Sequence, residues 1–388
     1  MADMQGVERG GVAARPADHG FFGPGSVTWK VWSYPTSLTV GFQRAVVIEE
    51  LDPFLVAPVD HTAKIFTKPR QRYDNTLKYF ATVAFADSGT AVRAAEMLTR
   101  THAHIHGLEP VSGRPYDAND PAQQLWIHLT AWHSILYAYE RFGPGRLTEE
   151  EESRYWEECA IAAELQTCAP SAVPRTREGI RRYFEAMRPR LAASEATQYA
   201  MEHLLDAHVM YPRMWFFLRP GGWVISRGLR AATLATMPRW QLRLAGIRQS
   251  RLTRALIVPV MRLSFHVAAL SVTGQLALLK WISPATHPVV EPVLRDVPPH
   301  EPVTRTPGEA FAANGVRRPG ELHAEFVARR TMHPVPDLPP SAPMAQPIPH
   351  HGRRPGGGAV PTSLRRPGRG STPAGSAVAL VDEGSLDR

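Results

Sequence analysis

One stretch limits what this chain can become more than any other: NDPAQQLWIHLTAWHSILYAYERFG, residues 119–143. Asp120 followed by Pro121 reads as an N-cap and first helical position, since the carboxylate can accept an orphan amide and proline has no amide to lose. Leu125, His128, Trp132, Ile135, Tyr139 and Phe142 then recur at intervals of three and four, which places them on one continuous helical face. Gly143-Pro144-Gly145 ends the helix, because glycine tolerates a left-handed cap and proline cannot continue the ladder. His128 is the only strongly polar member of the face. An imidazole in that position either finds hydrogen-bond partners in the core or presents a nitrogen to a metal or haem iron, and the stretch alone leaves both open.

The neighbouring segments are also helical in pattern. Residues 72–86 place Leu77, Phe80 or Ala81, and Ala84 or Phe85 at helical spacing. Ser88 is expected to cap the next helix, where Ala91, Ala95, Leu98, His102 and Ile105 share a face. That face carries a second inward histidine. His104 lies elsewhere on the helix, and His106 neighbours His102 only if the helix persists to Gly107, so the run THAHIHG is not in itself a three-histidine metal site. The turn-rich GLEPVSGRPYDAND that follows is long enough to let His102 and His128 lie on packed helices. Thr148 and Glu151 have the spacing of a capping box, and another helix begins near Thr176 with Ile180, Phe184 and Met187 inward. Between Leu38 and Leu55, interrupted by Pro53, helices fit best, with Ser37 and Thr39 as caps, although Val46-Val47-Ile48 equally suits a strand.

With 388 residues, 44% of them hydrophobic, the chain can bury a large core. The formal charge of +8 permits attraction to anionic surfaces, yet most basic residues alternate with acids or lie near the C-terminus, so no specific nucleic-acid partner is expected. Cys159 and Cys168 are too few for a disulfide framework, and the first twenty residues hold no apolar run of the kind an export signal needs. A cytoplasmic protein is therefore expected. The most apolar later segment, residues 255–279, is interrupted by Arg262 and His266 and reads as a core or surface helix rather than a span. The basic amphipathic stretch from Arg227 to Arg254 suits an outer helix of the domain or peripheral contact with an anionic membrane. Of the 36 prolines, 19 lie from Pro284 onward, a density that argues against a helical core there. The expected organisation is all-α: a flexible N-terminus over 1–20, one multi-helix domain over 21–283, and a disordered Pro/Gly/Arg-rich tail over 284–388.

FFGPGSVTWKVWSYP, YFATVAFAD, RTHAHIHG, GRPYDANDPAQQLWIHLTAWHSIL and the RYWEE helix occur in the order seen in the MpaB-type oxygenases and latex clearing proteins (rubber oxygenases), and the chain resembles that family over roughly residues 20–245. The resemblance implies an all-helical haem b domain that uses O₂ against an apolar unsaturated substrate. His128 matches the position that looks like the proximal iron ligand. His102 matches the distal helix, where it stabilises bound oxygen, serves as a second axial ligand, or only supports the pocket. Trp132 and Leu98, with Ile135, Phe80 and Phe85, would line a dry pocket. Rubber oxygenases are exported, so the absent signal points away from extracellular polyisoprene towards an isoprenoid or lipid-like molecule. The alternative is a haem or lipid carrier, or a sensor, without turnover.

Overall fold

The Asp120–Pro121 pair starts a helix as its chemistry requires. In the computed structural model, which describes residues 15–62, 68–109, 112–212 and 215–332, the Asp120 carboxylate accepts from the amides of Ala122 and Gln123 at 3.0 and 3.1 Å. The helix runs Pro121–Phe142 and Gly143 closes it. It is the sixth α-helix among the described residues. Before it come α1 (Val27–Trp32), a π-helical turn (Ser37–Gly41), α2 (Phe42–Glu49), α3 (Pro53–Thr62), α4 (Pro69–Phe85) and α5 (Ser88–His102), so α6 is Pro121–Phe142. After it come α7 (Glu149–Ala163), α8 (Arg177–Met187), α9 (Glu195–Leu205), α10 (Arg219–Thr236), α11 (Arg239–Leu244), α12 (Arg251–Ala269) and α13 (Val272–Ile282). The only strands among the described residues, β1 (His106–Leu108) and β2 (Pro115–Asp117), form an antiparallel hairpin in which His106 faces Asp117. The architecture is all-α.

Helix α6 is buried on every side rather than along one stripe. His128, Trp132, Ile135, Tyr139 and Phe142 are buried as the spacing predicts, but so are Trp126, Thr130, Ser134 and Ala138 on the opposite side. Helix α2 and the π-helical turn pack on it, with α1, α7, α10 and α12 completing the surround. The turn comes so close at Gly41 that a Cβ there would lie 3.1 Å from the Ile135 Cα, so any larger residue would push the turn and the helix slightly apart. The main apolar cluster joins α1, α2 and α4 to α7 through residues such as Trp32, Phe42, Phe80, Ala95, Trp132 and Trp156. Val47 and Ile48 stand on a helix, not a strand. Here the local β preference of branched residues yields to packing against α6.

Two boundaries depart from expectation. Asp87, not Ser88, caps α5 by accepting from the Thr90 amide at 2.9 Å. Ser88 is held instead by Asp18, whose carboxylate takes its amide at 2.7 Å and its hydroxyl at 2.5 Å. Of the candidate caps Ser37 and Thr39, neither caps a helix; Ser37 donates to Val31 O and Thr39 to Pro35 O.

The larger correction concerns the region after Ser283, expected to be a disordered tail. Ordered helices continue as α14 (His287–Leu294), α15 (Pro307–Asn314) and α16 (Pro319–Met332). Pro288 and Pro307 stand at first-turn positions, where no amide is lost, and Pro292 lies inside α14, so these helices raise the proline count without being broken by it. They bury Val290, Phe311 and Leu322, and α14 packs on α4 while α15 and α16 pack on α5. Ser283 donates to the Asp74 carboxylate, and Arg305 pairs with Asp18 at 3.2 Å. The expectations for residues 1–14 and 333–388 lie outside the described residues.

Candidate functional site

His128 sits in the middle of α6 with 1% of its surface exposed. Its Nε2 lies 2.7 Å from the carbonyl oxygen of Cys159 on α7 and 3.3 Å from that residue's sulfur. A carbonyl only accepts, so Nε2 carries the proton and Nδ1 carries the lone pair. That Nδ1 is buried and has no partner. Burial pushes the imidazole down to about 4, opposed by the Cys159 carbonyl, which leaves the ring neutral at pH 7. A neutral imidazole anchored through one nitrogen and open at the other is the donor a metal or haem iron takes. The anchor itself, a backbone carbonyl, leaves no mark in sequence.

Trp132, one turn further on, has its ring 5.8 Å from that of His128. It is 1% exposed, and its ring stands 5.1 Å from both Trp32 and Tyr155 and 6.0 Å from Phe22. Phe80, Phe85 and Ile135 belong to the same cluster, so these residues expected to line a pocket pack together as one aromatic and aliphatic wall, of which Trp132 meets His128. Leu98 is half-buried on α5.

His102 is the last residue of α5. The helix stops there, which places His104 exposed in the following turn and His106 on the hairpin. Among the described residues no three His, Cys, Asp or Glu side chains converge as a metal site. His102 also has a buried, partnerless Nδ1. Its imidazole is pushed down to about 4 by burial and by the charge of Arg72, against the opposing effects of Asp117, Ala118 and Asn119. The two helices are tied beside it by Asn119, whose amide donates to Thr99 O at 2.8 Å.

Four ionisable groups near these helices, Arg44, Glu49, Glu50 and Arg72, were not among the residues expected from sequence. Arg44 on α2 is 3% exposed. It donates to Ser134 Oγ at 2.6 Å, lies 3.4 Å from His133 Nδ1, and stacks 5.0 Å from the centre of the Tyr137 ring. At the end of α2, burial raises the Glu49 carboxyl to about 8 and the Glu50 carboxyl to about 7, with Arg72 opposing both. Glu49 Oε1 and Glu50 Oε2 are buried without a partner. Arg72 thus acts on both carboxyls and on His102. A signal existed: Arg44, Val47, Ile48 and Leu51 follow at helical spacing, which turns the arginine inward. A separate shallow cleft of about 410 Å³ at the start of α4, lined by residues such as Lys68, Arg70 and Asp74, includes neither histidine.

No curated protein and no solved structure matches the chain. The family described as ER-bound oxygenase mpaB/B'/Rubber oxygenase, catalytic domain, matches residues 29–270, from α1 through α12 and over more than half of the sequence. That span contains the His128 and His102 helices, the Cys159 anchor and the aromatic wall, and the chain belongs to this family of oxygenase catalytic domains.

Proposed function

We propose that the protein is a haem b-dependent oxygenase of an apolar, unsaturated, isoprenoid or lipid-like substrate, with His128 as the iron ligand. The observation that carries this reading is the His128 ring, neutral, buried, fixed by Cys159 at 2.7 Å and left with one unsatisfied nitrogen. An unpaired buried acceptor costs about 1–3 kcal/mol, so a ligand that takes the Nδ1 lone pair removes a real penalty. Haem iron, when bound, supplies the centre at which dioxygen is activated. The chain's own residues do the rest. Cys159 O holds the ring's tautomer and orientation, the wall of Trp132, Trp32, Phe80 and Phe85 keeps water from its surroundings, and His102 offers a second neutral imidazole from α5. The overall change, one carbon–carbon double bond and one O₂ giving two carbonyls, balances without a co-reductant.

The second buried imidazole, His102, whose Nδ1 is also without a partner, favours one alternative, a haem carrier or sensor without turnover in which both histidines would hold the group. Carbon monoxide and a polyprenyl substrate separate the two. An oxygenase binds CO in the ferrous form, consumes O₂ with the substrate and releases carbonyl-ended fragments. A carrier with both axial positions filled shows a low-spin spectrum that CO leaves unchanged and no O₂ uptake.

A further inference from the structure

Helix α12 carries apolar residues on two faces, and only one is used by the fold. Ile257, Val258, Met261 and Phe265 turn inward against α6 and α10. Leu252, Leu256, Val260, Leu263, Val267 and Leu270 follow at intervals of four, four, three, four and three, a second stripe that points to solvent with each residue at least 56% exposed. Helix α10 runs antiparallel to α12, since Arg254 near the start of α12 donates to Met237 O at the end of α10, while Met261 further along α12 lies against Gly228 further back on α10. The start of α10 therefore lies beside the end of α12. There the chain exposes Trp215, Phe216, Phe217, Trp223 and Ile225, each more than half exposed. Isolated exposed apolar residues are ordinary, but a continuous stripe of this kind is not.

The charge around this surface identifies what covers it. From Ala207 to Val290 the sequence contains no Asp or Glu, and within 215–282 it has ten Lys and Arg. Arg219, Arg227, Arg248, Arg251, Arg262 and Lys280 are exposed, and Arg227 stacks 5.3 Å from the Trp223 ring centre. A second copy would bring the same cations against these, which disfavours self-association. Exposed Trp and Phe with a basic border, on helices that carry no acids of their own and whose neighbours Glu202 and Asp206 are engaged with Arg230 and Ser226, match the interface of an anionic bilayer. Helix α12 is the one helix among the described residues long and apolar enough to cross a membrane. Its inner face is fixed to α6 and α10, and Arg262 and His266 stand in its second half, so crossing would require it to leave the fold.

We propose that α10, α12 and the Trp215–Leu218 turn form an in-plane docking surface for an anionic lipid bilayer. The test is flotation of the full-length protein with vesicles of neutral phosphatidylcholine alone or mixed with phosphatidylserine. Binding is expected to the mixed vesicles, to weaken with salt, and to fall on the order of tenfold or more in Phe216→Glu and Leu263→Glu, which put charge into the apolar layer. Because both side chains are exposed, circular dichroism should show unchanged helicity. Trp215→Phe with Trp223→Phe should also remove the quenching of protein fluorescence by brominated lipid. Absence of vesicle binding, or binding that both glutamate variants retain, would overturn the proposal. So would a stable dimer that Leu263→Glu dissociates in a protein indifferent to vesicles. None of these readouts depends on haem or turnover, so the outcome stands apart from the oxygenase reading.

Discussion

Arg330, near the end of the last described helix, pairs with Asp117 at 2.7 Å and donates to Ala103 O at 3.3 Å. It thereby clamps the strand and the helix end on either side of His102. Arg330→Ala is expected to destabilise the fold by about 1–2 kcal/mol, because a half-buried carboxylate and a carbonyl both lose a donor. Ending the chain after Ser283 removes this clamp together with buried Val290, Phe311 and Leu322. That variant should lose cooperative thermal unfolding or show a much lower Tm. An unchanged melting curve would show that α14 to α16 contribute nothing.

Stability should be highest between about pH 4.5 and 6.5, where the effects of two histidines and two glutamates offset each other. His102 and His128 have imidazoles lowered to about 4; the stability tied to their neutral forms is present above the ordinary histidine value and is lost as pH falls towards 4. Glu49 and Glu50 work in the opposite sense, with carboxyls raised to about 8 and about 7. Their contribution is present below the ordinary carboxyl value and is lost as pH rises through 7 to 8. Urea midpoints measured from pH 4 to 9 should therefore hold roughly level between about pH 4.5 and 6.5 and fall on both sides of that window. Glu49→Gln should flatten the alkaline limb and raise stability at pH 8 by about 1–3 kcal/mol, since it removes an ionisable group from a buried position.

Trp132 and Leu98 were grouped as pocket residues by sequence, and their surroundings separate them. Trp132 is packed against Trp32, Tyr155 and Phe22, so Trp132→Ala should cost about 3–5 kcal/mol. Leu98 is half-buried, and Leu98→Ala should cost less than half as much while leaving the melting transition cooperative. Denaturant titration of the two variants checks the order.

How much could be read in the sequence follows from which interactions are local. The Asp120–Pro121 start, the Thr148–Glu151 capping box and the Thr176 cap all rest on contacts within a turn, and all three helices begin where those residues put them. The π-helical turn at Ser37–Gly41 and the burial of α6 on all sides depend on distant packing, so a one-sided stripe was legible and the Trp126 and Ser134 side was not. Proline count hid α14 to α16 because it does not distinguish a first-turn proline from a breaker. For the site, spacing turned His128 and His102 inward. The Cys159 carbonyl, Arg72 and the Glu49–Glu50 pair required the fold, since a backbone acceptor and contacts across helices carry no sequence pattern.

Whether His128 holds haem iron is tested by a haem titration followed by visible absorption on the wild-type chain, His128→Gln and His102→Gln. Glutamine at 128 keeps an N–H able to donate to Cys159 O but removes the imidazole lone pair, so circular dichroism should report an intact fold. One haem per chain with an intense Soret band is expected in the wild type, loss of that band in His128→Gln, and a retained band with altered CO or ligand affinity in His102→Gln. A folded His128→Gln protein that binds one haem with the wild-type spectrum would contradict His128 as the iron ligand.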